Sequence, residues 1–245
     1  MMLVAAHRGS SGTAPENTMA AFREAIEAGA DLIELDVRFT LDLELVVMHD
    51  RLLGRTTSGR GAVRRCTYAE LQELDAGRWF APRFAGEQVL SLRTVLNTLP
   101  AGMGINIEVK TDGDRRSKTV LVRHLHEVIR LHGRQRNLLI SSFDHRFLRI
   151  LRRHDANIPI GILLHLMRDV ARRPSVLARR MRAAYVLCSR SFLRRAIVKQ
   201  AHIHGIKVGV YTVNRTEELA RLQRFGIDLV FTNFPSAIGR ALRNA

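Results

Sequence analysis

An α/β fold, a single (β/α)8 TIM barrel, is what three features of this sequence predict. Its 245 residues match the roughly 250 that one such barrel needs. Short apolar runs recur with helical patterns between them, the mark of a parallel sheet with crossover helices. Acidic residues stand at the ends of two of those runs, Glu34 and Asp36 in one and Glu108 in another. In a barrel those strand ends are where active-site side chains sit.

The elements follow in order. Residues 1–6 are too short for the apolar core of a signal sequence and lead straight into His7-Arg8-Gly9. They predict a first strand ending at Ala6-His7. A helix over 16–28 follows, with Gly29 as its stop. The second strand is expected to end at Leu35-Asp36. A surplus apolar run, Leu45-Val46-Val47-Met48-His49, comes after the short link Thr40-Leu41-Asp42-Leu43-Glu44. A link that short joins antiparallel strands and cannot make a parallel crossover. The second strand should therefore pass the barrel rim and return as a hairpin turning near Asp42 and Leu43. His49 then comes back roughly opposite Asp36, over the carboxylates at the barrel mouth.

Residues from about 50 to 90 read as a small inserted subdomain after that hairpin. They hold Gly54, Gly59, Gly61, Gly77 and Gly86, a short helical piece over 68–74, and aromatic Trp79, Phe80 and Phe84. Residues 1–245 are otherwise expected to form one domain. Ser91 starts a helix whose stripe is Leu92, Val95, Leu96 and Leu99. The remaining strands should end at Val109-Lys110, Ser141-Ser142, Leu163-Leu164, Leu187-Cys188, Val213-Asn214 and Thr232-Asn233. Helices are expected over 117–131, 144–153, 192–204 and 216–225, the last two stopped by Gly205 and Gly226.

Composition narrows the function. A hydrophobic share of 46% with 25% charged residues argues for a packed core and against disorder. No apolar stretch approaches the roughly 18 residues that span a bilayer. Cys66 and Cys188 are the two cysteines, too few for a disulfide framework and without zinc spacing, so a reducing cytoplasm is the expected location. The formal charge of +16 is uneven: residues 145–195 contain 13 Arg against two acids, Asp155 and Asp169. A basic face there could attract anionic lipid, polyphosphate or nucleic acid. The plainer reading is arginine spread over solvated helix surfaces. No basic patch is interleaved with aromatics, so no nucleic-acid partner is expected.

The chemistry gathers at the strand ends. Glu34 and Asp36 are two apart on a strand and share one face; Glu108 and Lys110 repeat the arrangement. Charges flanked by Ile, Leu and Val are costly to bury unless paired or coordinated. Three inward carboxylates repel one another without a cation, and an all-oxygen set suits Mg²⁺ or Ca²⁺ better than zinc. The competing reading is ion pairing alone, Glu108 with Lys110 and Glu34 with an Arg. His7 and His49 titrate near neutral pH and fit a general base and a general acid across a phosphodiester. Arg8 and Lys110 would then neutralise non-bridging phosphate oxygens. Pro15-Glu16-Asn17-Thr18 reads as a helix start. Its place in the first loop also rims the mouth, so Glu16 and Asn17 stay open between the two roles. The other eight histidines read as ordinary.

Taken together these motifs resemble the glycerophosphodiester phosphodiesterase family. His7-Arg8-Gly9 with Pro15-Glu16-Asn17-Thr18 matches its first signature, and Ile33-Glu34-Leu35-Asp36-Val37 followed by His49-Asp50 its second. Arg55-Thr56-Thr57-Ser58-Gly59 and Leu74-Asp75-Ala76-Gly77-Arg78-Trp79-Phe80 are similar to its insertion. Ile107-Glu108-Val109-Lys110, Ser142-Phe143, Val210-Tyr211-Thr212-Val213-Asn214 and Thr232-Asn233 continue the likeness to about Pro235.

The resemblance implies hydrolysis of glycerophosphodiesters to sn-glycerol 3-phosphate and an alcohol. It implies a divalent metal on Glu34, Asp36 and Glu108, His7 and His49 as the acid–base pair, and phosphate contacts from Arg8 and Lys110. Attack on phosphorus would come from a neighbouring glycerol hydroxyl, through a cyclic phosphate that water opens, or from water directly. Phe143 and Tyr211 belong to the expected pocket, Tyr211 standing where the family often has Trp. Asn233 replaces a frequent Asp, and Leu43 a common Gly in the hairpin turn. An alternative substrate class is lysophospholipids, cleaved by a lysophospholipase D at a membrane surface. The Arg-rich segment motivates it, with Val170, Val176, Leu177 and Met181 as a helix that could dock peripherally on anionic lipid at the inner membrane surface.

Overall fold

The computed structural model describes residues 2–111, 115–133, 137–165, 169 and 174–244. Among them nine strands form one sheet: β1 (Leu3–His7), β2 (Leu32–Phe39), β3 (Leu45–Val47), β4 (Gly104–Val109), β5 (Leu138–Ser142), β6 (Ile160–Leu163), β7 (Tyr185–Ser189), β8 (Lys207–Tyr211) and β9 (Leu229–Thr232). The helices are α1 (Met19–Glu27), α2 (Tyr68–Gln72), α3 (Leu92–Thr98), α4 (Arg115–His132), α5 (His145–His154), α6 (Pro174–Arg180), α7 (Arg195–Ile203), α8 (Leu219–Phe225) and α9 (Pro235–Arg243). All strands but β3 are parallel, in the order β1-β9-β8-β7-β6-β5-β4-β2. Pairing of β1 with β2 closes the ring, with His7 beside Glu34. This is the expected (β/α)8 barrel.

Strand alternation explains the layers. Ile33, Leu35 and Val37 of β2 and Ile105, Ile107 and Val109 of β4 join the large core between barrel and helices. Glu34, Asp36, Asn106 and Glu108 then occupy the alternate, inward face. Deeper inside the barrel, Ala5, Leu163, Leu187, Leu229 and Phe231 pack together. Leu187 fits only because two neighbours lack side chains. A Cβ on Gly209 would lie 2.6 Å from Leu187 Cδ2, and one on Gly161 3.0 Å from Leu187 Cδ1.

The hairpin forms as expected, β3 running antiparallel to β2 with Val37 across from Val47. The Met48 amide bonds the Asp36 carbonyl at 2.9 Å, which sets His49 one residue past Asp36. The turn is held by Thr40, whose hydroxyl accepts from the Glu44 amide (2.9 Å), and Leu43 adopts φ +66°. After β3 the chain makes a long excursion carrying α2. Thr67 and Glu70 form a reciprocal capping box there, and Val46, Met48, Val63, Leu71, Ala76 and Val89 form a separate apolar cluster.

Two other expectations differ in detail. β8 ends at Tyr211, short of Val213-Asn214, although the Val213 amide still bonds the Phe231 carbonyl (2.8 Å). Of the stripe offered for lipid docking, Val170 lies outside the described residues. Met181 is buried in the main core and Leu177 packs against it, so these two serve the barrel. Among the described residues no helix is long and apolar enough to cross a membrane.

Candidate active site

Every barrel strand but β7 delivers residues to one place at the mouth. A cavity of about 250 Å³ is lined by His7 and Arg8 from the end of β1, Glu34 from β2, His49 from the hairpin, and Asn106, Glu108 and Lys110 from β4. Ser141, Phe143, Tyr211 and Phe231 complete much of its wall. The sequence-expected histidines, two of the three acids and both cations thus meet around one space. Asp36, fully buried, lies just behind it.

One oxygen from each of Glu34, Asp36 and Glu108 lies within 4.8 Å of the other two. Ion pairing accounts for part of this. Lys110 Nζ bridges Asp36 Oδ1 (2.9 Å) and Glu108 Oε1. Arg8 adopts φ +58°, a left-handed conformation uncommon for a side chain of its size. This aims its backbone N–H at Glu34 Oε2 (2.8 Å) and its guanidinium at Asp36 Oδ2 (3.1 Å). Pairing alone leaves a remainder. Glu34 Oε1, Asn106 Oδ1 and Ser141 Oγ are buried with no hydrogen-bond partner, and their residues all line the cavity. Unmet buried oxygens are costly, and hard oxygen donors beside three carboxylates fit a divalent cation.

The electrostatics agree. Burial, then the charge of Asp36, pushes Glu34 up to about 8; the same two causes push Glu108 up to about 7. Burial works on Asp36 in the same direction, but Lys110, Arg8 and His49 outweigh it and hold that carboxyl far below its usual range. Without a cation, then, the site keeps one firm carboxylate and two that resist ionising.

The imidazoles are each oriented from behind. His7 Nδ1 lies 2.8 Å from Asn233 Oδ1 and His49 Nδ1 lies 2.6 Å from Asp50 Oδ1. Both oxygens accept, so both rings carry a proton on Nδ1 and leave Nε2 for chemistry. Burial, assisted by Arg8, lowers the pKa of His7. Burial, with Lys110 and Arg8, lowers that of His49 against the pull of Asp36 and Asp50.

Glu16 and Asn17 separate. Asn17, at φ +61°, donates Nδ2 to Asp36 Oδ2 (3.1 Å) and accepts from the Asp36 amide (3.3 Å), so it braces a carboxylate directly. Glu16 stays outside the cavity, accepting from Arg8 Nη1 (2.8 Å) and from both Nη groups of Arg55 (2.8 and 2.7 Å). The helix cap is Thr18, whose hydroxyl accepts from the Ala21 amide. Arg55 also binds Asp50 through Nε, tying the excursion after β3 to His49. Tyr211 donates its hydroxyl to the Leu164 carbonyl (2.9 Å), and its ring meets Phe143 edge-on at 6.2 Å.

Sequence reasoning missed Asp50, Arg55, Asn106 and Ser141 as parts of this cluster. Asn106 could have been found, since it stands two residues before Glu108 on the same face.

Residues 7–237 match the model of the glycerophosphoryl diester phosphodiesterase family. The chain belongs to this family. Among family relatives, a glycerophosphodiester phosphodiesterase of Caldanaerobacter subterraneus is 36% identical over 247 residues, spanning 98% of both chains. A solved phosphodiesterase from Oleispira antarctica, in complex with the product sn-glycerol-3-phosphate, superposes with a TM-score of 0.89 at 30% identity. That match covers 98% of this chain and 96% of the other. The glycerophosphodiester phosphodiesterase of Agrobacterium tumefaciens matches with a TM-score of 0.85 at 29% identity, over 98% and 100% of the two chains.

Proposed function

We propose that the chain, acting as one domain with its excursion over 50–90, hydrolyses glycerophosphodiesters to sn-glycerol 3-phosphate and an alcohol. The observation that supports this most is the meeting of three clustered carboxylates, two of them lining the cavity, with two oriented imidazoles, in a member of the glycerophosphoryl diester phosphodiesterase family. Glu34, Asp36 and Glu108 would hold a divalent cation, Mg²⁺ or Ca²⁺, which when bound supplies positive charge against the phosphate oxygens.

The side chains do the rest. One imidazole accepts at Nε2 the proton of the attacking hydroxyl, and the other donates from Nε2 to the departing alcohol oxygen. The roles reverse where water opens a cyclic phosphate. Arg8 and Lys110 offset charge on the non-bridging oxygens. Phe143 and Tyr211 present an apolar wall to the carbon skeleton.

The test is release of glycerol 3-phosphate from glycerophosphocholine, first with EDTA and then with added Mg²⁺ or Ca²⁺. Activity restored by metal, and lost in both His7→Ala and His49→Ala, is the expected result. Full activity in EDTA would overturn the cation assignment, and near wild-type kcat in either variant would overturn the acid–base pair.

A further inference from the structure

A second concavity of about 570 Å³ opens beside the catalytic cavity. The two share Glu108, Lys110 and Phe143 as lining residues, so the second is a trough that borders the first. Its size suits a small-molecule site. Its far wall is basic: Arg38, Arg146 and Arg149 all line it. Arg146 and Arg149 are three apart on α5 and share a helix face, and both are exposed.

The two described acids that line the trough, Glu108 and Asp144, are already paired. Asp144 Oδ1 accepts from the amides of Arg146 (2.9 Å) and Phe147 (3.1 Å) as the N-cap of α5. Its Oδ2 binds the Thr111 hydroxyl (2.7 Å) and Lys118 Nζ (2.9 Å). Glu108 is paired with Lys110. Neither Arg146 nor Arg149 has a carboxylate partner among the described residues, and Arg149 uses Nε on the His145 carbonyl (3.2 Å). Two guanidiniums on one helix face of a concave wall, with no carboxylate partner among the described residues, are suited to an anion, and the planar fork suits phosphate.

We propose that this trough receives the alcohol part of the substrate and favours alcohols bearing a second phosphate group. The inference rests on the phosphodiesterase reading above and deepens it. It gives the arginines at the start of the basic segment a task that solvated surface residues would not have.

The test compares a matched pair, glycerophosphoinositol with and without one phosphate monoester on the ring, alongside glycerophosphocholine, all with metal supplied. The readout is the ratio of kcat/KM for the phosphorylated over the plain inositol substrate, so a general loss of activity cancels. We expect a ratio of about 10 or more in the wild type, the selectivity that 1.4 kcal/mol gives, carried mainly by KM. It should fall towards one in Arg146→Gln/Arg149→Gln and shrink with added salt. A wild-type ratio near one, an unchanged ratio in the double variant, or turnover of glycerophosphocholine alone would overturn the proposal. Turnover of none of the three would instead overturn the phosphodiesterase reading itself.

Discussion

Asn233 Oδ1 sits 2.8 Å from His7 Nδ1, at the seam where β9 pairs with β1. A neutral amide therefore sets the tautomer of this imidazole without lending it negative charge. Replacing Asn233 by Ala should lower kcat roughly 10- to 100-fold, as loss of an orienting partner does. Asn233→Asp should retain the orientation but raise the basicity of His7. Since the base must be unprotonated to act, the acidic limb of the kcat–pH profile would move to higher pH. Profiles of both variants measure this, and an unshifted limb in Asn233→Asp would count against His7 as the titrating base.

His49 is held differently, by the carboxylate of Asp50. Arg55, the largest influence, together with His49 keeps that carboxyl at about 2 despite partial burial. The restraint should therefore persist wherever the protein is folded near neutral pH. Asp50→Asn offers an amide that can turn its donor towards Nδ1 and favour the wrong tautomer. Steady-state assays should show kcat down by about 100-fold, in the direction seen when a histidine's orienting acid is lost, with Tm little changed. Equal losses of kcat and Tm would mean the contact is merely structural.

The raised carboxyls make a prediction about metal and pH. A folded-state pKa of about 8 for Glu34 and about 7 for Glu108, against an ordinary 4.5, means the metal-free fold holds protons that the unfolded chain releases. Between those values the metal-free protein loses stability as pH rises. A cation needs both groups ionised and so binds better at higher pH. The Tm difference between Mg²⁺- or Ca²⁺-supplemented and EDTA-treated protein should widen from about pH 5.5 to about pH 8.5. A constant gap would show that these carboxyls do not hold the ion.

Leu43 occupies a left-handed turn position at φ +66° while 43% exposed. A side chain at that φ strains the hairpin, and this one is only partly covered. Leu43→Gly should stabilise the protein by about 1 kcal/mol, read as a Tm rise of roughly 2–4 °C for a chain of this size. A lower Tm would show that the side chain contributes packing that outweighs the strain.

What the sequence made legible was whatever depends on short spacings. The i, i+2 pairs put Glu34 with Asp36 and Glu108 with Lys110 on inward faces. A five-residue link could only be a hairpin, which brought His49 to the mouth. The Leu43 strain was visible because a glycine would be easier there. Contacts across long stretches of chain were hidden. Arg55 meets Glu16 over 39 residues and Asn233 meets His7 over 226, distances that only barrel closure removes. Asn17 is open in the sequence because a residue at a helix start can equally turn to a carboxylate on the next strand, and only the packed geometry chooses. The basic segment could not be divided into trough and surface until the start of α5 and the end of β4 lined one concavity.

Leu187, lodged in the notch left by Gly161 and Gly209, makes the barrel a blind well. Above it, Leu163 and Phe231 floor the cavity, so among the described residues the mouth serves as both entrance and exit. Under the function proposed above, the half of a cleaved diester that lies nearer that floor would leave after a half that lies above it. Such an order would be set from below, at a floor that Leu163 and Phe231 form over Leu187.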